Sequence, residues 1–214
     1  MARESIAATV YEVWLHHFER RIFSDDLGEP LFSRMNGRFH ALLVKNVLEI
    51  HAHGKVWCDD VLTVEKENCT DQMLFALEDA LKYLNRELGS SKKEWTWGRL
   101  HQTQYPHNPF SEVPYLKPLF HRSIENGGDK YTLNVASHKA SNPFHQTHHP
   151  SLRMLIDLAD WKRQRWILGT GQSGNLLSSH YDDQMQSHRD GEYLVVDFGD
   201  PEMEGDVLIL KPRP

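Results

Sequence analysis

Cysteine is nearly missing from this chain. Cys58 and Cys69 are the only two in 214 residues, so a disulfide framework is excluded; one bridge is open to them, and two thiols do not identify a compartment. Long apolar runs are missing too, which excludes a membrane-spanning helix. The opening Met1-Ala-Arg-Glu-Ser-Ile has none of the apolar stretch of a secretory leader, so either the chain is cytoplasmic or its targeting segment lies outside it. Positive charge is in deficit: 24 Lys and Arg face 30 Asp and Glu, for a formal net charge of −6 with no basic run. That excludes the electrostatic footprint of a nucleic-acid binder. The six Trp are scattered rather than arrayed as a stacking platform. Strands and helices do not alternate, which argues against a parallel doubly wound sheet. There is no internal repeat and no low-complexity segment.

What is present is an ordinary globular composition, 39% hydrophobic and 25% charged, in a chain long enough to bury a core without staples. Ile6, Val10, Val13, Trp14, Phe18 and Ile22 recur at steps of three and four, one apolar stripe of a helix from about Arg3 to Phe23. Phe39, Leu42, Leu43, Val47 and Ile50 mark a second helix that closes near Gly54. Thr70 reads as the N-cap of a third, whose stripe is Leu74, Leu77, Leu81, Leu84 and Leu88 and whose stop is Gly89. After Ser90 the apolar runs shorten and Pro and Gly become frequent. Strands are expected at Tyr131–Ala136, Ser151–Leu158, Arg165–Leu168, Glu192–Phe198 and Asp206–Leu210. The organisation expected is a helical segment over 1–90 and a β-rich segment over 91–214, together one structural unit.

Several patterns invite chemistry. Gly169, Gly171 and Gly174 fit G-x-G-x-x-G, but a dinucleotide loop needs a helix directly after its third glycine to hold the pyrophosphate. Asn175-Leu-Leu-Ser-Ser-His180 carries no helical stripe, so a tight loop between strands, needing positive φ or close backbone approach, is the better reading. Ser173, His180 and Asp182 suggest a triad, yet Ser173 lacks the G-x-S-x-G elbow, and residues this close in sequence rarely supply all three members. Asp182 and Asp183 suggest an acid/base pair, but adjacent carboxylates on an extended segment point apart, so a turn is favoured. Of the 14 histidines, His145, His148 and His149 cluster, and His51 and His53 form a pair. Pro143 and Pro150 bracket the cluster as a loop, no acid or Cys completes a recognisable ligand spacing, and no metal or cofactor is expected.

Four further segments share an order and a spacing. Trp95-Thr-Trp-Gly98-Arg-Leu-His101 resembles the W-x-W-G-x-x-H element of the penicillin amidase (penicillin acylase) family. Gly127-Gly-Asp129 with Thr132-Leu-Asn134-Val-Ala resembles its G-G-D-x-x-T-x-N-x-A segment, and Pro150-Ser-Leu-Arg153-Met-Leu-Ile-Asp157-Leu its P-S-x-R-x-x-x-D-L strand. Thr170-Gly-Gln-Ser-Gly-Asn175 with Ser178-Ser-His-Tyr-Asp-Asp-Gln184 resembles its late T-G-Q-S-G and S-P-H-Y-x-D-Q loop, with Ser179 at the usual Pro. The resemblance is strongest from about Trp95 to Tyr193.

The resemblance implies an α+β fold, part of the αββα sandwich of the N-terminal nucleophile hydrolases. It implies hydrolysis of linear amides, either β-lactam side chains or acyl-homoserine lactones, by a serine at the start of the β chain. That serine's own α-amine, which ordinarily titrates at about 7.7–8.0, accepts a proton near neutrality. This chain matches the C-terminal part of such a β chain, so the nucleophile and the oxyanion-hole asparagine are expected upstream of Met1, and no catalytic residue is assigned here. Ser5 is no substitute, because four residues precede it and a helix begins after it; nor does Gly98 create a self-processing junction. His101, Arg153, His180, Tyr181 and Asp183 are expected as hydrogen-bonding anchors of a buried network. The partners expected are the missing N-terminal part of the acylase (the α chain and the start of the β chain) or a second copy, with no nucleic acid or membrane. For the resembled family a periplasmic or secreted location is implied. The alternative is a catalytically silent binding or interaction module on the same fold.

Overall fold

A computed structural model describes residues 1–34, 40–50, 54–138, 142–146 and 148–196. The chain divides into two compact units, Met1–Pro150 and Ser151–Pro214.

The first unit is built on two long helices. Helix α1, Ile6–Leu27, starts where the Ser5 hydroxyl accepts from the Ala8 amide (3.1 Å) and runs past the expected stop at Phe23. It ends at Gly28, whose φ of +72° breaks the helix before Pro30 opens the short α2, Glu29–Phe32. The expected second helix is α3, His40–Lys45, continued by a π turn over Asn46–Ile50. Helix α4, Cys69–Leu88, begins ahead of the expected cap Thr70, because Asn68 takes that role. Asn68 Oδ1 accepts from the amides of Thr70 (2.8 Å) and Asp71 (3.2 Å), and Asp71 returns a carboxylate to the Asn68 amide, a reciprocal capping box. Gly89, at φ +87°, stops it as expected.

Helices α1 and α4 pack along each other. Val13, Phe18 and Ile22 on α1 and Ala76, Ala80 and Leu84 on α4 are all fully buried. The two alanines let α1 approach closely, and bulk from α1 fills the space they leave. Trp14 Nε1 donates to the Met73 carbonyl (3.0 Å) and stacks on Phe18. The expected leucine stripe of α4 is therefore only half used: Leu84 and Leu88 are buried, whereas Leu74, Leu77 and Leu81 stay exposed. Cys58 and Cys69 are joined as a disulfide, which ties the turn Gly54–Cys58 to the first residue of α4.

Beyond α4 come the short α5, Trp97–Leu100, and a two-stranded antiparallel sheet, β1 Gln102–Tyr105 against β2 Arg122–Glu125, with α6, Lys117–Phe120, just before β2. The stretch Tyr131–Ala136 is not the expected strand. Its amides at Tyr131 and Thr132 are captured by the Asp129 carboxylate, and Thr132 Oγ1 bridges the Asp129 amide and the Asn134 carbonyl. Local side-chain bonding thus bends the segment and leaves only single bridges.

The second unit is a three-stranded antiparallel sheet in the order β3 Leu152–Leu155, β4 Gln164–Leu168, β5 Leu194–Val196. Leu152 pairs with Leu168 and Met154 with Trp166; Trp166 in turn pairs with Leu194. Helix α7, Met185–Asp190, packs on β4. Three expected strands are thus present, β5 being described as far as Val196; the expected strand Asp206–Leu210 lies outside the described residues.

Candidate functional site

The motif residues of the first unit converge on one centre. Trp97 is fully buried, donates from Nε1 to the Gly128 carbonyl (2.8 Å) and stacks on His101 at 4.5 Å between ring centroids. His101 Nδ1 lies 2.6 Å from the Phe144 carbonyl, an acceptor, so Nδ1 carries the proton. Its Nε2 finds no hydrogen-bond partner among the described residues. Burial pulls the imidazole pKa down to about 4, against the smaller opposing pull of the Phe144 carbonyl. His101 is a neutral, stacked pillar at physiological pH. Phe144, held at φ +73°, is packed by His16, Tyr83, Trp97 and His138.

A second layer lies beside it that sequence reasoning missed. Asn126 Nδ2 donates to Thr103 Oγ1 (2.9 Å) and Gln146 Oε1 (3.1 Å), and Thr103 Oγ1 also donates to Gln146 Oε1. Asn126 Oδ1 accepts from the Gly127 amide (2.8 Å), and Gln146 Nε2 reaches the carbonyls of Val135 and His148. All three side chains are buried. They join β1, β2 and the Gly127–Gly128 loop through satisfied polar contacts, and their one sequence signal was Asn126 abutting the glycine pair.

The glycines of these motifs hold the first residues of the chain. The Gly98 amide donates to the Arg3 carbonyl and the Gly128 amide to the Met1 carbonyl, each at 2.8 Å. A Cβ on Gly127 would stand 2.6 Å from the Met1 carbonyl oxygen, and one on Gly98 would collide with the Arg3 side chain. Ser5 is spent as a helix cap, as its place at the start of α1 requires.

Between α1 and the Gly128 loop is a cavity of about 20 Å³ lined by Glu12, His16, Glu19, Lys130, Tyr131 and His138, room for one water. Burial, then the charge of Asp129, pushes the Glu12 carboxyl up to about 7. Burial lowers the Lys130 ammonium, opposed by Glu19 and Glu12. An open groove of about 790 Å³ runs past Arg20, Arg21, Asp79, Lys82 and Arg86. Arg20 pairs with Glu29 and Arg21 with Asp79, so its cations are largely neutralised in place.

In the second unit the two late motifs zip together. The Ser173 amide donates to the His180 carbonyl (3.0 Å) and the Gln184 amide to the Thr170 carbonyl (2.8 Å). Gly171 is required by close approach, since a Cβ there would collide with the His180 carbonyl; Gly174 meets nothing within 4 Å. No helix follows Gly174 until Met185, and none of the three loop glycines has a positive φ. The triad candidates do not assemble: Ser173 Oγ accepts from the Asn175 amide (3.1 Å), and the carboxylate at His180 Nδ1 is Asp183 (2.8 Å), not Asp182.

The five expected anchors do not form one buried network. His101 belongs to the first unit and the other four to the second. Arg153 donates to the His188 carbonyl (2.6 Å) and Tyr181 is buried, but His180 and Asp183 meet at the surface, with the His180 side chain 69% exposed. His180 lies in a turn closed by Ser178, whose hydroxyl accepts from the His180 amide (3.1 Å) and whose carbonyl accepts from the Tyr181 amide (3.2 Å), and its side chain is left at the surface. Among the described residues no group of three or more His, Cys, Asp and Glu is placed to hold a metal. His145 and His148 are exposed, His149 packs on Tyr105, and His51 and His53 lie outside the described residues.

Two long helices with a two-stranded antiparallel sheet in the first unit, and a three-stranded antiparallel sheet in the second, make an α+β scaffold whose motifs are devoted to holding backbone. A thermostable penicillin G acylase from Alcaligenes faecalis shares the fold: it matches with a TM-score of 0.53 at 16% identity over 98% of this chain and 39% of that one. The family model for penicillin amidase matches residues 1–205, and the chain belongs to the penicillin amidase family. It is 30% identical over 210 residues to the acyl-homoserine lactone acylase QuiP of Pseudomonas syringae pv. tomato, covering 92% of this chain and 24% of that protein. It is 28% identical over 217 residues to QuiP of Pseudomonas aeruginosa, covering 92% of this chain and 25% of that protein. The chain thus spans about a quarter of the length of these relatives.

Proposed function

We propose that this chain is a scaffold portion of a linear-amide hydrolase, with the serine nucleophile and its α-amine base carried by acylase polypeptide outside it. Its part in the chemistry is to supply helices and antiparallel strands to the αββα body and to position neighbouring chain through the Trp97–His101 centre. The substrate class on this reading is an acyl amide, an acyl-homoserine lactone or a β-lactam side chain. The observation that carries the reading is the family match along residues 1–205 together with a span of only a quarter of the acylase relatives. The motif side chains support it, being occupied with packing and capping.

Purified chain incubated with a phenylacetyl amide or an acyl-homoserine lactone is expected to release no amine above the buffer rate. Turnover by the chain alone, with an acyl group trapped on one of its own side chains, overturns the reading. A second reading, a silent interaction module on the same fold, is favoured by the exposed apolar residues of the second unit. It predicts a stable complex with no hydrolysis even when acylase polypeptide is supplied.

A further inference from the structure

The open groove of the first unit carries its charges in order. It lies between α1, α4 and the loop that holds Asp60, with a volume of about 790 Å³, and Leu62 is the one aliphatic side chain among the described residues that line it. The two helices run antiparallel, since Val13 packs in one cluster with Leu84 and Ile22 in another with Ala76. One end of the groove is therefore made by His17 and Tyr83, whose rings meet edge to face at 5.8 Å, with Lys82 and Arg86 beside them. The other end is made by Asp25 and Asp60, brought together where Asp25 Oδ2 accepts from the Val61 amide (3.0 Å).

The middle is neutral, because Arg20 pairs with Glu29 and Arg21 with Asp79. The ends are not. Neither Asp25 nor Asp60 has an ion-pair partner among the described residues, and Asp25 Oδ1 has no hydrogen-bond partner there. Lys82 meets Glu78 at 3.8 Å and Arg86 meets Glu87 at 2.7 Å, but neither glutamate lines the groove. The Lys82 and Arg86 side chains are 74% and 71% exposed, so these pairs hold them weakly against a better partner. Burial lowers the His17 imidazole below its ordinary value, so the charge of that end at neutral pH is that of Lys82 and Arg86.

A groove negative at one end and positive at the other selects a ligand of opposite polarity. From His17 to Asp25 helix α1 rises about 12 Å, and four extended residues span about 13 Å. Each peptide group brings a donor and an acceptor, which the carboxylates and guanidiniums of the middle can meet. An acyl chain finds almost no apolar wall here. We propose that the groove binds a short extended peptide of about four residues, its terminal ammonium at Asp25 and Asp60 and its terminal carboxylate at Lys82 and Arg86. The site lies wholly within the first unit and stands whether or not the scaffold reading does.

The test titrates tetraalanine, whose only charges are its two ends, into the whole chain and follows amide chemical shifts. Saturable shifts are expected around both Asp25 and Tyr83. Acetylating the peptide's amine or amidating its carboxylate should each weaken binding about threefold or more. Asp25→Asn with Asp60→Asn keeps the oxygen acceptors of both loops and should weaken the parent peptide while leaving the acetylated one unchanged. Lys82→Gln with Arg86→Gln should weaken the parent peptide while leaving the amidated one unchanged. Absence of saturable shifts overturns the proposal, as does equal binding of the capped and free peptides. Variants that fail to distinguish which end is capped overturn the assigned direction and the two-ended site with it. No acylase polypeptide enters the experiment, so each of these failures leaves the scaffold reading where it was.

Discussion

The two units solve the burial problem differently. In the first, α1 and α4 press large side chains onto Ala76 and Ala80, and a belt of Thr103, Asn126 and Gln146 closes every polar bond it opens. In the second, three short strands carry one fully buried aliphatic, Ile167, among the described residues, and an apolar face stands open. The lesson is that motif density does not track self-sufficiency. The second unit carries two of the four family motifs, yet it has the thinner core.

Substitutions can break this comparison. Phe18→Ala removes a fully buried ring between the helices and should cost about 3–5 kcal/mol, read by urea denaturation; Met154→Ala on the open sheet face should shift the same curve by under about 0.5 kcal/mol. Equal costs would erase the distinction. Next in size, Asn126→Ala strands the buried partners Thr103 and Gln146 and should cost about 1–3 kcal/mol.

The dependence on pH sharpens the contrast further, since both strongly shifted groups lie in the first unit. His101 has a folded pKa of about 4 against an ordinary 6.5. The unfolded chain takes up its proton first, so this contribution to stability is lost as pH falls from 6.5 towards 4. Glu12, at about 7 against 4.5, runs the other way: the folded chain holds the proton, and stability is lost as pH rises from 4.5 to 7. Denaturation midpoints followed over this range should show Glu12→Gln removing the loss on the alkaline side only. The smallest effect belongs to the second unit: His180→Ala removes an exposed contact with Asp183 and should change stability by under about 0.5 kcal/mol.

How much of this was legible depended on whether a residue acts through periodicity. The stripe Val13, Phe18, Ile22 and the alternation in Leu152–Leu155 both repeat, so α1 and β3 could be read from sequence. Strands β1 and β2, Gln-Thr-Gln-Tyr and Arg-Ser-Ile-Glu, carry no apolar alternation and exist through their pairing. Tyr131–Ala136 has strand composition but lies beside Asp129, whose carboxylate wins its amides. At the centre, the W-x-W-G-x-x-H and G-G-D elements marked the place, and His101 was correctly expected to be buried. Thr103, Asn126 and Gln146 went unseen because a hydrogen-bond belt assembled from three distant segments leaves no spacing to read. His180 and Asp183 sit in a family motif just as His101 does, and nothing in their local sequence separates the exposed pair from the buried ring.

The contacts of Gly98, Gly127 and Gly128 with Met1–Arg3 have a consequence for variation. The Gly98 and Gly128 amides donate to the carbonyls of Arg3 and Met1, so at Met1 and Ala2 the clasp reads peptide groups, while Gly98 also packs on the Arg3 side chain. Substitutions at Met1 and Ala2 should therefore drift with little penalty, whereas the three small jaws tolerate almost none. A library randomised at both places would record that asymmetry as scattered letters on one side and fixed glycines on the other.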